Sequence, residues 1–338
     1  MPLMQELKEL QNEHMSAILA RIEHVLVKSV GEETSLLEMT RYHMRTGGKR
    51  LRALLPLVVA RCFDTPARDL VAFGAACEML HNATLVHDDL QDGDRVRRGE
   101  PTIWVEYGMP QAINLGDAML YVTILLLDEL EVPAEARQKA IRRLATETLR
   151  VVDGQEREFA LQQMPWPGRE HYFKMVEGKT SGLFALPVVG AAELCGADAP
   201  LLDALQEAAR HLGVIFQIQD DILDLYGEKG REAPGSDVAE GKISMLVIHA
   251  LEMAEEEDAQ WLRALLQRDR EQVSREDIRR AMTLFKECGA LEASFAEIDR
   301  RARAAQEAPA LQANPALCAM VREMVDVFLA PIKDVRQQ

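Results

Sequence analysis

Aromatic residues make up only 5% of the 338-residue sequence, although 48% of it is hydrophobic. A core built from such a chain must be filled by Leu, Ala, Val and Met, a mixture that favours helices. Cysteine is scarce as well: Cys62, Cys77, Cys195, Cys288 and Cys318 are odd in number, scattered, and form no CxxC pair. This excludes a disulfide framework and a zinc knuckle, and points to a reducing, cytoplasmic compartment. An excess of positive charge is also missing, since 39 Lys and Arg stand against 55 Asp and Glu for a net charge of −16. A fold-wide basic surface able to neutralise nucleic-acid phosphates is thereby excluded, so no nucleic-acid partner is expected. The N-terminal MPLMQELKELQNEH mixes acids and bases from residue 5 onward and lacks the apolar stretch of a signal peptide. The longest apolar run, Ala118 to Leu127 between Asp117 and Asp128, falls well short of the ~20 residues of a membrane crossing. No membrane span is expected.

Strand signals are nearly absent: apolar and polar residues do not alternate over any sustained stretch, and no Asn-Gly or Asp-Gly hairpin is evident. What is present instead is apolar recurrence at three and four, as in Leu201, Leu202, Leu205, Ala208, Leu212, Ile215, Ile222 and Leu223. Breaks fall at Gly47-Gly48, Gly93 to Pro101, Pro133, Met164 to Gly168, Gly227 to Gly241 and Pro309 to Pro315, predicting about a dozen helical segments. Length alone allows about two domains. With no low-complexity linker and no repeat of fixed period, the sequence predicts a single all-α domain over residues 1–338.

Two short clusters share one pattern. His87-Asp88-Asp89-Leu90-Gln91-Asp92 closes a helical stretch beginning near Asp69, and Gln219-Asp220-Asp221-Ile222-Leu223-Asp224 closes the stretch from Leu201. Asp88 with Asp92, and Asp220 with Asp224, stand at i and i+4 on one helical face, where like charges repel by roughly a few tenths of a kcal/mol. Such pairs offer oxygen ligands to a hard cation such as Mg2+, which prefers carboxylate, water and phosphate oxygens. A solvated acidic helix end is the alternative. His81 and Thr84 share the Asp88 stripe, and Gln217 shares that of Asp224.

Basic islands interrupt this acidic chain. Arg45-Thr46-Gly47-Gly48-Lys49-Arg50-Leu51-Arg52 carries four positive charges and no acid. Its glycines allow close backbone approach to an anion, and its Lys and Arg side chains suit phosphate oxygens, although the spacing is not that of a P-loop. Arg95-Val96-Arg97-Arg98-Gly99 begins three residues after Asp92, where its arginines either neutralise the carboxylates or grip a metal-bound anion. Lys179-Thr180-Ser181 and Lys242 add isolated cations. Together these groups describe a cavity with carboxylate walls and a basic rim, sized for more than one phosphorylated ligand.

These residues resemble the trans-type isoprenyl diphosphate synthases of the polyprenyl synthetase family. The resemblance runs from Gly47-Gly48-Lys49-Arg50-Leu51-Arg52 to Lys242. The first aspartate-rich motif looks like Asp88-Asp89-x-x-Asp92 followed by Arg97-Arg98-Gly99, the second like Phe216-Gln217-x-x-Asp220-Asp221-x-x-Asp224. The family's Lys-Thr pair is matched by Lys179-Thr180, its Gly-Gln segment by Asp153-Gly154-Gln155, and its late lysine by Lys242. Two positions depart from the pattern: Ala53 stands where proline is usual, and Arg231 where a lysine is often found.

The resemblance implies a helical bundle around a deep central cavity, a homodimer, and two aspartate motifs facing each other across the cavity mouth. An allylic diphosphate would lose its diphosphate with the help of several Mg2+ ions, and isopentenyl diphosphate would attack the resulting cation and lose a proton. By the same resemblance Asp88, Asp92 and Asp220 are the main Mg2+ ligands, with Asp89, Asp221 and Asp224 in support. Arg97, Lys179, Gln217 and Lys242 face the allylic diphosphate, while Lys49, Arg52, His81 and Arg98 hold isopentenyl diphosphate. Lys179, Thr180 and Gln217 are the catalytic candidates. Met79, Leu80, Ala83 and Thr84, one and two turns behind Asp88, would set product length, with Ala83 and Thr84 small enough to admit about twenty carbons at ~5.4 Å per turn. Fifteen carbons, or twenty-five and longer, stay open. A class I terpene cyclase would carry a different second metal motif, and a noncatalytic partner subunit would not need both motifs intact.

Overall fold

The computed structural model describes residues 2–227 and 234–337, and Arg231 lies outside them. Helices α1 (Leu3–Val30), α2 (Ser35–Arg45), α3 (Leu51–Cys62), α4 (Val71–Gln91), α5 (Ile103–Glu106), α6 (Met109–Asp128), α7 (Ala134–Gln162), α8 (Arg169–Lys179), α9 (Gly182–Leu194) and α10 (Ala199–Tyr226) come first. Then follow α11 (Ser236–Ala239), α12 (Met245–Met253), α13 (Glu256–Leu265), α14 (Arg275–Glu287), α15 (Ala290–Ala304), α16 (Pro309–Gln312) and α17 (Pro315–Leu329). The all-α expectation holds, but with seventeen helices among the described residues rather than about a dozen, because breaks such as Ala254-Glu255 and 266–274 carry neither glycine nor proline. Side-chain oxygens start several helices: Thr34 accepts from Leu37 N, Ser274 and Asp277 form a reciprocal capping box, and Asn314 accepts from Leu317 N ahead of Pro315.

One element escaped the sequence reading. Strands β1 (Val96–Arg97) and β2 (Glu100–Pro101) pair antiparallel between α4 and α5, with Val96 opposite Pro101 and Arg97 opposite Glu100. Their turn is Arg98-Gly99, with φ of 55° and 83°, the positive values that a two-residue primed turn demands at both positions. Two-residue strands leave no alternation to detect, and an arginine at the first turn position is not a hairpin signal.

By contacts the chain divides into two compact units: Met1–Thr148 with Leu183–Gln206, and Leu149–Gly182 with Glu207–Gln338. The boundary falls inside the continuous helices α7 and α10. In the first unit α4 is the core element, packed on α6, α3 and α1. Phe73, Met79, Leu80 and Ala83 are fully buried along it, each large side chain contributing roughly 1.5–3 kcal/mol relative to exposure. Helix α6 corrects the expectation that no apolar stretch reaches membrane-spanning length: the single charge Asp117 ends an apolar run but not a helix, and all 20 residues qualify by length and composition. Its face through Ala112, Leu115, Met119 and Leu126 is buried in the unit, whereas Met109, Ile113, Tyr121, Ile124 and Leu125 are exposed. In the second unit α12 is buried from Met245 to Ala250 against α15, α13, α14 and α8. Phe216 on α10 meets Phe328 on α17 edge-on at 5.2 Å.

Candidate active site

In the first unit the aspartate motif occupies the last turn of α4. Asp92 caps that helix, its N–H donating to Asp88 O at 2.8 Å, so the i,i+4 pair does share one face. Asp88 and Asp92 are half-buried, whereas Asp89 is buried at 2% exposure. The hairpin then folds Arg97 back onto the motif: its Nε donates to Asp89 Oδ1 at 2.6 Å, and its NH2 lies 4.0 Å from Asp88 Oδ2. Burial raises the Asp89 carboxyl to about 6 in spite of the Arg97 charge. Arg97 thus stands against the carboxylates of the first motif.

Arg98, at the hairpin tip, reaches the glycine loop instead. Its NH1 donates to Gly47 O at 2.6 Å, and a Cβ on Gly48 would sit 2.8 Å from its Cζ, so at φ 114° only glycine fits. Lys49 is exposed. Arg52, in the first turn of α3, lies over the Phe184 ring at 4.8 Å and donates from NH1 to His81 Nε2 at 3.2 Å. Since arginine only donates, His81 is the neutral acceptor, consistent with burial and the Arg52 charge holding it well below the usual histidine range. Burial likewise lowers the Arg52 guanidinium to about 10. Arg52 and His81 are thus in contact, while Arg98 reaches the loop that carries Lys49. Met79, Leu80 and Ala83 are sealed in the core, and of the four chain-length candidates Thr84 alone is partly accessible, its hydroxyl donating to His81 O at 2.8 Å.

In the second unit Lys179 ends α8 and Thr180 caps it, at the break before α9. The break is pinned by glycines on two neighbouring helices. A Cβ on Gly154 of α7 would lie 2.1 Å from Lys179 N, and one on Gly213 of α10 would lie 2.2 Å from Ser181 Oγ. One turn beyond each glycine stands the partner of the broken segment. Glu158 pairs with Lys179 Nζ, and Gln217 Oε1 accepts from Thr180 Oγ1 at 2.9 Å. From Gln217 a chain continues along α10, its Nε2 donating to Asp221 Oδ1 at 3.0 Å. Asp221 Oδ2 accepts from Tyr172 OH at 3.0 Å and from Met245 N at 3.3 Å. Asp221 is buried, which with the Asp237 charge raises it to about 7. Asp224 is buried as well, accepting from Ser236 Oγ at 2.7 Å and Asp237 N at 3.1 Å, while Asp220 is half-buried. Lys242 lies 3.0 Å from Glu240 and 3.9 Å from Asp237.

Several partners were missed in the sequence. Tyr172 stands seven residues before Lys179, two turns along the same helix, and Glu158 four after Gly154; both spacings were visible, but an isolated Tyr or Glu carries no signal. Asp153, in the Gly-Gln segment, is exposed and pairs with Arg157 at 2.6 Å.

In each unit taken by itself, the aspartate motif offers oxygens of the kind a hard divalent ion prefers. Half-buried Asp88, Asp92 and Asp220 offer carboxylate oxygens, while Asp89, Asp221 and Asp224 are engaged inside the protein. Among the described residues no three His, Cys, Asp or Glu converge into a cage. Mg2+ characteristically takes one or two carboxylates and completes its octahedron with water and phosphate oxygens, which suits such an open set.

Three comparisons bear on this arrangement. The family model described as polyprenyl synthetase matches residues 33–285. A short chain isoprenyl diphosphate synthase of Methanocaldococcus jannaschii is 32% identical over 271 residues, 80% of this chain and 82% of that one. A geranylgeranyl diphosphate synthase of Mycobacterium tuberculosis is 34% identical over 262 residues, 77% of this chain and 74% of that one. The crystal structure of a polyprenyl synthase from Caulobacter crescentus, complexed with calcium and isoprenyl diphosphate, superposes with a TM-score of 0.85 at 25% identity, covering 97% of this chain and 98% of that one.

Proposed function

Because this chain belongs to the polyprenyl synthetase family and is a prenyltransferase, we propose that it joins isopentenyl diphosphate head-to-tail to an allylic diphosphate, stopping at about twenty carbons. The observation that carries this reading is the repeated division of labour at two helix ends: inner aspartates held by the protein, outer aspartates left at accessible positions. Asp88, Asp92 and Asp220 would hold Mg2+, with Asp89, Asp221 and Asp224 fixing the motifs from behind. When bound, Mg2+ supplies charge neutralisation to a departing diphosphate. Arg97, Lys179, Gln217 and Lys242 bind and orient the allylic diphosphate, adding positive charge where negative charge develops. Thr180 and Gln217 direct oxygen dipoles to the allylic cation. Lys49, Arg52, His81 and Arg98 hold isopentenyl diphosphate, and His81, kept neutral, accepts from Arg52 and so aims its guanidinium.

Thr84 is the accessible side chain one turn behind Asp88, so it meets the growing chain first, backed by Met79, Leu80 and Ala83. Twenty carbons agrees with the name of the Mycobacterium tuberculosis relative. The exposed α6 stripe of Met109, Ile113, Tyr121, Ile124 and Leu125 supports a homodimer. A cytoplasmic setting is supported by five cysteines that are free thiols. Residues 1–338 act as one synthase domain spanning both units.

The test is incubation of the purified protein with Mg2+, isopentenyl diphosphate and each allylic diphosphate in turn, followed by product identification. An all-trans twenty-carbon diphosphate is expected, and Thr84→Phe should shorten it by at least one isoprene unit. Failure to elongate any allylic substrate would overturn the reading.

A further inference from the structure

Behind the glycine loop lies a buried polar cluster to which neither the aspartate motifs nor the basic rim assigns a task. Of the three cations in Lys49-Arg50-Leu51-Arg52, Lys49 is exposed, Arg52 is half-buried against Phe184 and His81, and Arg50 is the most deeply buried at 8% exposure. Its backbone adopts φ 47° and ψ 30°, a left-handed conformation that costs an L-residue ~1–2 kcal/mol and reverses the chain just before α3. The guanidinium compensates: NH1 lies 2.8 Å from Glu78 Oε1 and 3.7 Å from Met44 Sδ, and NH2 donates to Met44 O. Glu78, on α4, is 3% exposed. Asn82, one turn on, donates from Nδ2 to Glu78 O at 2.7 Å and to Glu78 Oε1 at 3.1 Å. That orientation leaves Asn82 Oδ1 to accept from His43 Nε2 at 3.0 Å, fixing the histidine tautomer. Glu78 Oε2 has no hydrogen-bond partner among the described residues.

A carboxylate taken this far from water is expensive, and an Arg–Glu pair in such a place is frequently no more stable than an apolar replacement. Its worth must therefore be sought in what it positions. Glu78 is also the acid whose charge reaches both Arg52 and Arg98. The same loop is held from its other side by Arg98 across Gly47 and Gly48.

We propose that Glu78 is a positioning residue for the isopentenyl diphosphate pocket: by drawing Arg50 inward it holds the reversed loop that leaves Lys49 exposed and starts α3 where Arg52 meets His81. Asn82 and His43 brace the Glu78 carboxylate. This inference rests on the assignment of Lys49 and Arg52 to that substrate. A purely structural ion pair would affect stability and every kinetic constant together; a positioning pair separates them.

The experiment compares wild type, Lys49→Ala, Glu78→Gln and the apolar double variant Arg50→Met with Glu78→Leu, measuring thermal stability, calorimetric binding of isopentenyl diphosphate, and steady-state constants for both substrates. Lys49→Ala should weaken isopentenyl diphosphate binding. In the double variant, expected to retain wild-type stability, KM for isopentenyl diphosphate should rise at least about 10-fold while KM for the allylic diphosphate stays within about 2-fold. Glu78→Gln should shift the same way, and if it does not fold the double variant decides. Wild-type KM for isopentenyl diphosphate in a stable double variant, with Lys49→Ala impaired, would overturn this inference alone. Absence of isopentenyl diphosphate binding by wild type would overturn it together with the pocket assignment.

Discussion

The two aspartate-rich helix ends read almost identically in sequence, yet the protein supports them by different means. At the end of α4 the inner Asp89 is neutralised by a cation, Arg97, delivered on a hairpin. Near the end of α10 the inner Asp221 is surrounded by neutral donors, from Tyr172, Gln217 and the Met245 amide. The third aspartates differ as well: Asp92 is a half-buried helix cap, whereas Asp224 is buried and held by Ser236 and the Asp237 amide. The first motif thus keeps two half-buried carboxylates with one cation beside them, while the second keeps one, Asp220. A repeated motif does not imply a repeated site. Two fixed carboxylates with an arginine suit shared ligation of an ion, whereas a single accessible carboxylate leaves more of the coordination shell to substrate and water.

The strongest way to break this comparison is to remove the accessible oxygens. Asp88→Ala and Asp220→Ala should each lower turnover by at least ~100-fold, about 2.7 kcal/mol in the barrier. If Asp224→Ala proved more damaging to turnover than Asp220→Ala while leaving stability untouched, the division into outer and inner aspartates in the second motif would be wrong. Wild-type turnover in both outer variants would remove the metal site altogether.

Next in size is a contrast in stability between the inner pair. Asp89→Asn takes from Arg97 its close carboxylate and leaves it only the longer contact to Asp88, and because that arginine also keeps some solvent access the loss should be about 2 kcal/mol rather than the full penalty of a sealed pair. Asp221→Asn removes an acid raised to about 7 and surrounded by neutral donors, so about 1 kcal/mol is expected for one imperfectly replaced hydrogen bond. Chemical denaturation of the two variants near neutral pH tests this. An equal loss in both would mean that the Arg97 pairing contributes no more than a neutral hydrogen bond.

The helices, their glycine and proline breaks and the ligand-type aspartates were legible in the sequence because each depends on local pattern: apolar spacing, glycine and proline, carboxylates at i and i+4. The hairpin was not, since two-residue strands carry no alternation and Arg98 takes a conformation that favours glycine. The division between Asp88 and Asp89 came with the i,i+4 spacing and the resemblance, but not the partner that holds Asp89, because Arg97 reaches it through the hairpin. Gly154 stood out only through the resemblance and Gly213 not at all; their role lies in backbone approach between segments distant in sequence, which spacing does not encode. The α6 helix was undervalued because counting stopped at a single charge. Arg50 and Lys49 are neighbours of like charge, and only the left-handed turn sends one inward and the other out.

The smallest expected effect sharpens the comparison through acid. His43, beside the first motif's basic cluster, is lowered to about 3 by burial and by the charges of Arg97 and Arg98. Its unfolded counterpart takes up a proton near 6.5, so between about 6.5 and 3 the unfolded chain binds more protons. The stability this histidine contributes is complete above 6.5 and is lost as pH falls. Asp221 has the opposite sign. Raised to about 7 from 3.8, it binds its proton more readily when folded, so its contribution is complete below 3.8 and is lost as pH rises through about 7. Acidifying metal-free protein from pH 7 to about 5.5 should therefore diminish what His43 contributes and increase what Asp221 contributes, each by on the order of 1 kcal/mol per pH unit over its window, with Asp89, raised to about 6, acting in the same sense as Asp221. Denaturation curves at several pH values separate the two. His43→Gln should lose less stability on acidification than wild type, because glutamine can still donate to Asn82 without titrating, whereas Asp221→Asn should lose more. If both substitutions tilted the pH dependence in the same direction, the buried imidazole behind the first motif and the buried carboxyl of the second would not titrate with opposite sign, and burial would not be what holds His43 neutral and Asp221 protonated.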